Sequence, residues 1–136
     1  MATLTSRMKN WLTGMGGHIA TASKAGVPAV IVADLAKVEG DNIVRFPLSG
    51  KQTDYIRANL SENPRVAFGP GGIGSIRAAY QFKGQGRIEG SELVVAVDEI
   101  YCTKPGPEAA LRLDVLPTDS VVKFEESRWK DNGPPR

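Results

Sequence analysis

The stretch SGKQTDYIRANLSENPRVAF, residues 49–68, reads as a helix followed directly by a strand. Ser49 followed three residues later by Gln52 is a capping-box pattern, which predicts that a helix begins near Gly50. Pro64 cannot continue a helix and ends it, and the apolar run after it is typical of a strand. The small and apolar positions at helical spacing are Thr53, Ile56 and Leu60.

The start of this helix is a candidate anion site. The first backbone N–H groups of a helix have no partner within it and form the positive end of its dipole. Gly50 lets a ligand approach the backbone, and Lys51 adds a full positive charge. An ordinary capped helix with a solvated lysine accounts for the same residues, so spacing alone leaves both interpretations open.

Three strands are predicted before this helix, and a short helix is predicted before the strands. The segments HIATAS (18–23), VPAVIVADLAKVEG (27–40) and IVRFPL (43–48) are separated by turn signals, which predicts a three-stranded antiparallel meander. Residues 4–12 predict an amphipathic opening helix. Its apolar face comprises Leu4, Met8, Trp11 and Leu12.

A glycine-rich loop, FGPGGIG (68–74), has the G-x-G-x-x-G spacing of a dinucleotide-binding loop. That function requires a helix to begin at the last glycine. Residues 76–88 instead alternate between apolar and polar side chains, which predicts a long strand. We therefore predict that the loop only connects two antiparallel strands.

The segments after this strand are less distinct. Residues 90–101, GSELVVAVDEIY, combine β-branched residues typical of a strand with Leu, Val and Ile at helical spacing, and we predict a helix. Residues 109–117 alternate as a strand, and residues 120–124 predict a final one. Residues 126–136 are polar and end in prolines, which predicts a loosely held tail.

Composition narrows the class of protein. A chain of 136 residues is the size of one domain, and its 17 basic and 15 acidic residues form no basic block, so we expect no nucleic-acid partner. One cysteine, Cys102, and one histidine, His18, exclude an internal disulfide and a Cys/His metal cluster. No apolar run has the length of a signal peptide or a membrane span, so we expect a cytoplasmic protein without membrane contact.

Residues 17–90 resemble the FMN-binding split-barrel family related to pyridoxamine 5'-phosphate oxidase. The likeness rests on an ordered set of segments: IATASKAGVPAVIVADL, EGDNIVRFPLSGKQT, IRANLSENPRVAF and AAYQFKGQGRIEG. Its most specific part is the helix start followed by NPRV. The resemblance implies a single domain over residues 1–136, mainly β with helices, folded as a six-stranded antiparallel split β-barrel that forms homodimers.

The resemblance also implies a cofactor site, with two FMN molecules at the subunit interface. Residues matching those that hold the FMN phosphate are Ser49, Lys51, Gln52 and Thr53. Residues matching those along the flavin ring are Val30, Ile31, Val32 and Ala33. Pro47 and Leu48 match the residues between ring and phosphate, and Tyr80 and Gln81 match contacts to the partner subunit.

The function implied is that of an FMN flavoprotein, a low-specificity oxidoreductase that takes electrons from NAD(P)H or a protein donor. Pyridoxamine oxidation is not expected, because the chain has neither the Arg-Lys pair after the serine nor the C-terminal Arg and His groups of that oxidase. Three alternatives remain open: an FMN carrier or electron-transfer protein without a dedicated substrate, a relative that binds the deazaflavin F420, and a structural barrel without cofactor. No catalytic residue and no metal ligand is assigned.

Overall fold

A computed structural model describes residues 2–71, 80–104 and 106–129, and these ranges contain three helices and seven strands. In chain order the elements are α1 (Ser6–Gly14), β1 (Gly17–Ala22), β2 (Pro28–Ala33), β3 (Lys37–Glu39), β4 (Ile43–Pro47), α2 (Gly50–Glu62), β5 (Arg65–Pro70), β6 (Tyr80–Glu89), β7 (Glu92–Cys102) and α3 (Thr118–Arg128). The described part of the chain has no helix both long and apolar enough to cross a membrane.

The strands form one antiparallel sheet in the order β2-β1-β5-β6-β7-β4-β3. The predicted meander is wrong in part, since β2 pairs with β1 but β4 pairs with β7 and β3. The predicted second strand is divided into β2 and β3. The chain leaves the sheet where the Asp34 carboxylate accepts a hydrogen bond from the Leu35 N–H and the Ala36 N–H donates to the Leu12 carbonyl of α1.

The sheet curls around an aromatic core. The Phe68 ring meets Phe46 edge-on at a centroid distance of 5.1 Å and stacks on Phe82 at 5.2 Å. A Cβ placed on Gly17 would lie 3.4 Å from Phe46 Cε1, so β1 and β4 face one another although three strands separate them in the sheet. The result is a split barrel with seven strands rather than six, because the three-residue β3 adds an edge strand.

The helices α1 and α2 are confirmed at the predicted places. Thr5 caps α1, which buries Met8, Trp11 and Leu12, and Ser49 caps α2, which buries Thr53 and Ile56. Because β5 and β6 are antiparallel neighbours, the glycine loop does connect two antiparallel strands. Residues 72–79, which include most of that loop and the first part of the predicted long strand, lie outside the described residues.

The predicted helix over residues 90–101 is wrong, because this segment forms β7. Gly90, with a φ of 59°, begins a two-residue hairpin loop that turns β6 into β7, and the pairing then runs from Glu89 opposite Glu92 to Tyr80 opposite Cys102. Consecutive buried residues on β7 are typical of a strand covered on both faces. They are Leu93, Val94 and Val95.

Both strands predicted after β7 are also wrong. Residues 109–117 form a single bridge, between Tyr101 and Arg112, because Ala110 before it adopts a left-handed φ of 66° and a turn follows it, in which the Leu116 N–H donates to the Leu113 carbonyl. Residues 120–124 belong to α3, which buries Val121 and Glu125 one helical turn apart. Residues 126–128 of the predicted tail complete α3, and residues 130–136 lie outside the described residues.

Candidate functional site

The start of α2 is built by a closed capping box. The Gln52 N–H donates to Ser49 Oγ over 3.1 Å, and the Ser49 N–H donates to Gln52 Oε1 over 3.1 Å. The other end of the Gln52 amide donates from Nε2 to the Val32 carbonyl over 2.6 Å. Gln52 thus connects the first turn of α2 to the edge strand β2.

These hydrogen bonds engage some of the residues predicted to hold a phosphate and leave others available to a ligand. Both ends of the Gln52 amide are engaged within the protein, and buried Thr53 donates its hydroxyl to the Ser49 carbonyl over 3.0 Å. Lys51 is exposed, and the Ser49 hydroxyl accepts in the capping box and can still donate its own proton. The backbone at Gly50 is also accessible to a ligand, because a Cβ placed on Gly50 would meet nothing within 4 Å.

The charge of this helix start favours an anion. The first turn of α2 contains no acidic residue, so no carboxylate of its own offsets the positive end of the helix dipole. The exposed Lys51 side chain adds to that charge. A phosphate placed here would meet backbone N–H groups, a hydroxyl and a cation together.

The strand β2 presents an open edge beside α2. It is the first strand of the sheet and, in the described ranges, has β1 as its one neighbour. The Val32 carbonyl points away from β1, because it accepts from Gln52, and residues two apart on a strand point the same way. The peptide groups of Val30 and Val32 therefore face the open edge.

The side chains of β2 alternate between this surface and the core. Val30 and Val32 are 59% and 63% exposed, whereas Ile31 and Ala33 are buried inside the barrel. The latter two were predicted to run along the ring and to offer it backbone hydrogen bonds, and their buried side chains leave only the backbone for that contact. A similar division holds at the end of β4, where Pro47 is exposed while buried Leu48 donates its N–H to the Ser91 carbonyl over 2.9 Å.

A shallow groove of about 240 Å³ continues from β2 across the outer face of the sheet. His18 lies opposite Val32 of β2 and Gly69 of β5, and Ala20 lies opposite Val30 and Ala67. The lining comprises His18, Ala20, Val30, Ala67, Phe68, Gly69, Tyr80, Gln81 and Thr103.

The small residues of this groove are not among the residues predicted for the site. The available signal was the small side chains at alternate positions of two strands, Ala20 and Ala22 in one strand and Ala67 and Gly69 in the other. That signal acquires meaning only when the strands are known to be neighbours.

The Tyr80 side chain lies inside the protein, on the opposite side from Gln81. Its hydroxyl accepts a hydrogen bond from Arg7 Nη1 over 2.7 Å and donates to the Glu125 carboxylate, which also accepts from Thr5 Oγ1 over 2.7 Å. Burial raises the pKa of Tyr80, and it raises the pKa of Glu125 as well. A partner contact at this position can come from half-buried Gln81 but not from the Tyr80 ring.

Trp129 covers this buried cluster. The Arg7 guanidinium lies 4.5 Å from the centroid of its ring, and the ring meets Tyr80 and Phe124 edge-on at 5.4 and 5.3 Å. Trp129 therefore anchors the C-terminal end of α3 to the core. Burial likewise raises the pKa of the Cys102 thiol, which favours its protonated form.

No protein-family model matches the chain, and no curated protein does. Solved structures share its fold. HupZ from Group A Streptococcus has a TM-score of 0.60 at 18% identity, over 78% of this chain and 98% of its own. A candidate pyridoxamine 5'-phosphate oxidase from Lactobacillus delbrueckii has 0.60 at 16%, over 74% and 94%.

An FMN-binding protein from Syntrophomonas wolfei has a TM-score of 0.58 at 13% identity, over 71% of this chain and 84% of its own. At such identities the likeness establishes the fold alone. The chain has the split β-barrel fold found in FMN-binding proteins.

Proposed function

We propose that this protein binds FMN and acts as a low-specificity oxidoreductase that passes hydride or electrons through the flavin. The observation that carries the proposal is the Gln52 amide. It fixes an electropositive helix start, open at Gly50 and Lys51, directly beside the open apolar edge of β2. A flavin nucleotide needs this combination of an anion site and a flat apolar surface.

In this proposal the residues that remain available bind different parts of the ligand. The Ser49 hydroxyl, the Lys51 ammonium and the backbone at Gly50 hold the phosphate, while the peptide edge and side chains of Val30 and Val32 meet the ring. Gln52 holds the phosphate-binding helix start beside the ring-binding strand β2, and it contacts neither the phosphate nor the ring itself. The flavin, when bound, supplies the electron-transfer chemistry, and the protein contributes binding and orientation.

The ring surface is open in a single chain, and we propose that a second copy closes it. Val30 and Val32 are more than half exposed, and the groove beside them is shallow. An apolar surface of this kind is typical of an interface. A homodimer with FMN at the interface covers the valines and the ring together.

A second candidate function is an FMN carrier or small electron-transfer protein without a dedicated substrate. Among the described residues that line the groove, His18 has an exposed ionisable side chain, whereas the Tyr80 side chain is buried and its hydroxyl is engaged with Arg7 and Glu125. Such a surface offers little for acid–base chemistry on a substrate. NAD(P)H oxidation, measured with and without added electron acceptors, separates an oxidoreductase from a carrier.

The first experiment is the visible absorption spectrum of the purified protein, before and after incubation with FMN, riboflavin and F420. The proposal expects flavin absorbance that stays with the protein through gel filtration. A protein that retains none of the three ligands would be a structural barrel.

The decisive variant is Lys51→Ala. Loss of a charge-assisted bond to the phosphate is worth about 1.5–3 kcal/mol, so we expect FMN to bind roughly ten- to a hundredfold more weakly. Riboflavin has no phosphate, and its affinity should not change. The matched control is Arg57→Ala, which removes an exposed cation beyond the first turn of the same helix. Equal losses for FMN and riboflavin in a fluorescence titration would place the phosphate elsewhere.

A further inference from the structure

His18 lies near the start of β1, on the outer face of the sheet between β2 and β5. Its cross-strand neighbours are Val32 on one side and Gly69 on the other, and its own side chain is exposed. Residues directly opposite on antiparallel strands have Cβ atoms roughly 4.5–5.5 Å apart. His18 and Val32 therefore form adjacent parts of one surface.

This surface is continuous with the helix start. Gln52 of α2 bonds to the Val32 carbonyl over 2.6 Å, and Val32 is the direct cross-strand partner of His18. A ligand whose phosphate lies at the first turn of α2 reaches Val32 first. Any flat group attached to it that follows the sheet then reaches His18.

The groove around His18 has a floor suited to a flat ring. Small residues form it on β1 and β5, namely Ala20, Ala67 and Gly69, and Val30 forms one side. At about 240 Å³ the groove is smaller than the roughly 300–1,000 Å³ of sites that enclose a whole drug-sized ligand. Its size fits the ring part of a ligand whose phosphate is bound outside it.

We propose that the flavin ring lies in this groove against the His18 imidazole, which makes His18 a ring-contacting residue that determines cofactor affinity. The inference rests on the proposed function and deepens it by adding β1 and β5 to the ring site. The ring lies across β2, β1 and β5, with Ala67 beneath it and His18 beside it. His18 is the ionisable side chain of the groove whose polar atoms face the ligand.

The sequence makes this contact directly measurable, because His18 is the single histidine of the chain. In untagged protein its imidazole Cε1 proton gives one NMR signal that needs no assignment. A flavin ring against it should shift that signal, and the shift should saturate together with the visible absorbance of bound flavin. Both FMN and riboflavin should produce it, since both contain the ring, whereas inorganic phosphate should not.

Two variants test the position of the ring by a second route. Ala67→Leu fills the groove, and we expect it to weaken FMN and riboflavin equally, by tenfold or more. The matched control is Ala22→Leu, which adds the same side chain to the outer face of β1, opposite Pro28 and outside the groove lining. The control should leave both affinities within about twofold.

The outcomes separate this inference from the proposed function. Flavin that binds by absorbance while the His18 signal stays unmoved, or an Ala67→Leu variant that is folded and binds normally, would overturn the ring placement and leave flavin binding intact. Failure of the wild-type protein to bind any flavin would overturn the proposed function and the placement with it. A shifted His18 signal together with the Ala67→Leu loss supports both.

Discussion

Arg7, Tyr80 and Glu125 form a buried polar cluster that joins α1, β6 and α3. An unpaired charge in such a place is costly, and each of these groups is satisfied by another: Tyr80 bonds to both Arg7 and Glu125, and Thr5 adds a second donor to the carboxylate. The cluster therefore specifies where the two helices attach to the sheet. It also makes ionisation of the Tyr80 hydroxyl unfavourable, because burial and the neighbouring carboxylate both raise its pKa.

The raised pKa of Tyr80 predicts a loss of stability at alkaline pH. The folded protein keeps the Tyr80 proton while the unfolded chain loses it above the ordinary pKa of 10.0, so the stabilisation is complete below that pH and declines above it. The decline approaches about 1.4 kcal/mol per pH unit. Urea unfolding of wild type and Tyr80→Phe between pH 9 and 11.5 checks it, because the variant lacks the titrating group. The stability difference between the two proteins should narrow by this amount above pH 10, and parallel pH profiles would contradict it.

At the level of elements, the hairpin of β6 and β7 depends on close backbone approach at Gly84. A Cβ on Gly84 would lie 2.1 Å from the Ala96 carbonyl oxygen, and the strand register shifts at this point, between Lys83 and Gly84. Real contacts of this kind do not occur below about 3 Å, so the backbone has to move when a side chain is present.

We therefore expect Gly84→Ala to destabilise the protein by about 2–3 kcal/mol, as overpacking does in well-packed interiors. Gly50→Ala is the matched control, because its Cβ would meet nothing within 4 Å, and its effect should stay within about 0.5 kcal/mol or be slightly stabilising. Urea denaturation of both variants measures the difference. Equal midpoints would mean that β7 relaxes away from Gly84 at little cost.

Elements with a local signal could be predicted from the sequence. The capping box at Ser49 and the proline at position 64 fix both ends of α2 without help from the rest of the chain. The segment of β7 carries both helical and strand patterns, and its pairing with ten residues of β6 decides between them. The helix α3 was missed because the burial of Glu125, on the same face as Val121, depends on hydrogen bonds from Thr5, which caps α1, and from Tyr80 of β6.

The candidate site likewise has residues that could be predicted from the sequence and features that could not. Ser49 and Lys51 were predicted because a capped helix start is visible in the sequence, and Val32 was predicted from the resemblance to the FMN-binding family. The engagement of Gln52 and Thr53, the burial of Ile31 and the groove at His18 follow from which strands are neighbours. No periodicity within a single segment contains that information.

At the scale of the whole molecule, five of the eight large apolar side chains that are exposed in the described part of the chain lie on or next to β2 and α2. The most exposed of them around β2 and α2 are Val27 at 63%, Val30 at 59%, Val32 at 63%, Leu35 at 48% and Tyr55 at 60%. Charged residues protect the opposite edge of the sheet, where β3 is short and contains Lys37 and Glu39. The strand β2 contains no charged residue, which is the expected pattern if another copy of the chain covers it.

This asymmetry predicts that FMN binding and dimerisation stabilise one another. If the partner copy closes the groove, the dimer binds FMN more tightly than the monomer does. By linkage, added FMN must then shift the monomer–dimer midpoint to lower protein concentration. Analytical ultracentrifugation of apo and FMN-loaded protein over a dilution series measures that midpoint.

Val30→Lys places a charge on the exposed face of β2 and should raise the dissociation constant of the dimer at least tenfold without unfolding the monomer. Val115→Lys is the matched control, because Val115 is 64% exposed on the loop before α3, outside the β2 surface, and it should leave the midpoint unchanged. The FMN affinity of Val30→Lys should also fall, both because the dimer is lost and because Val30 forms one side of the groove. If a monomer binds FMN with the same affinity at every concentration, the partner does not close the groove, and the start of α2 with the edge of β2 forms the complete site within one chain.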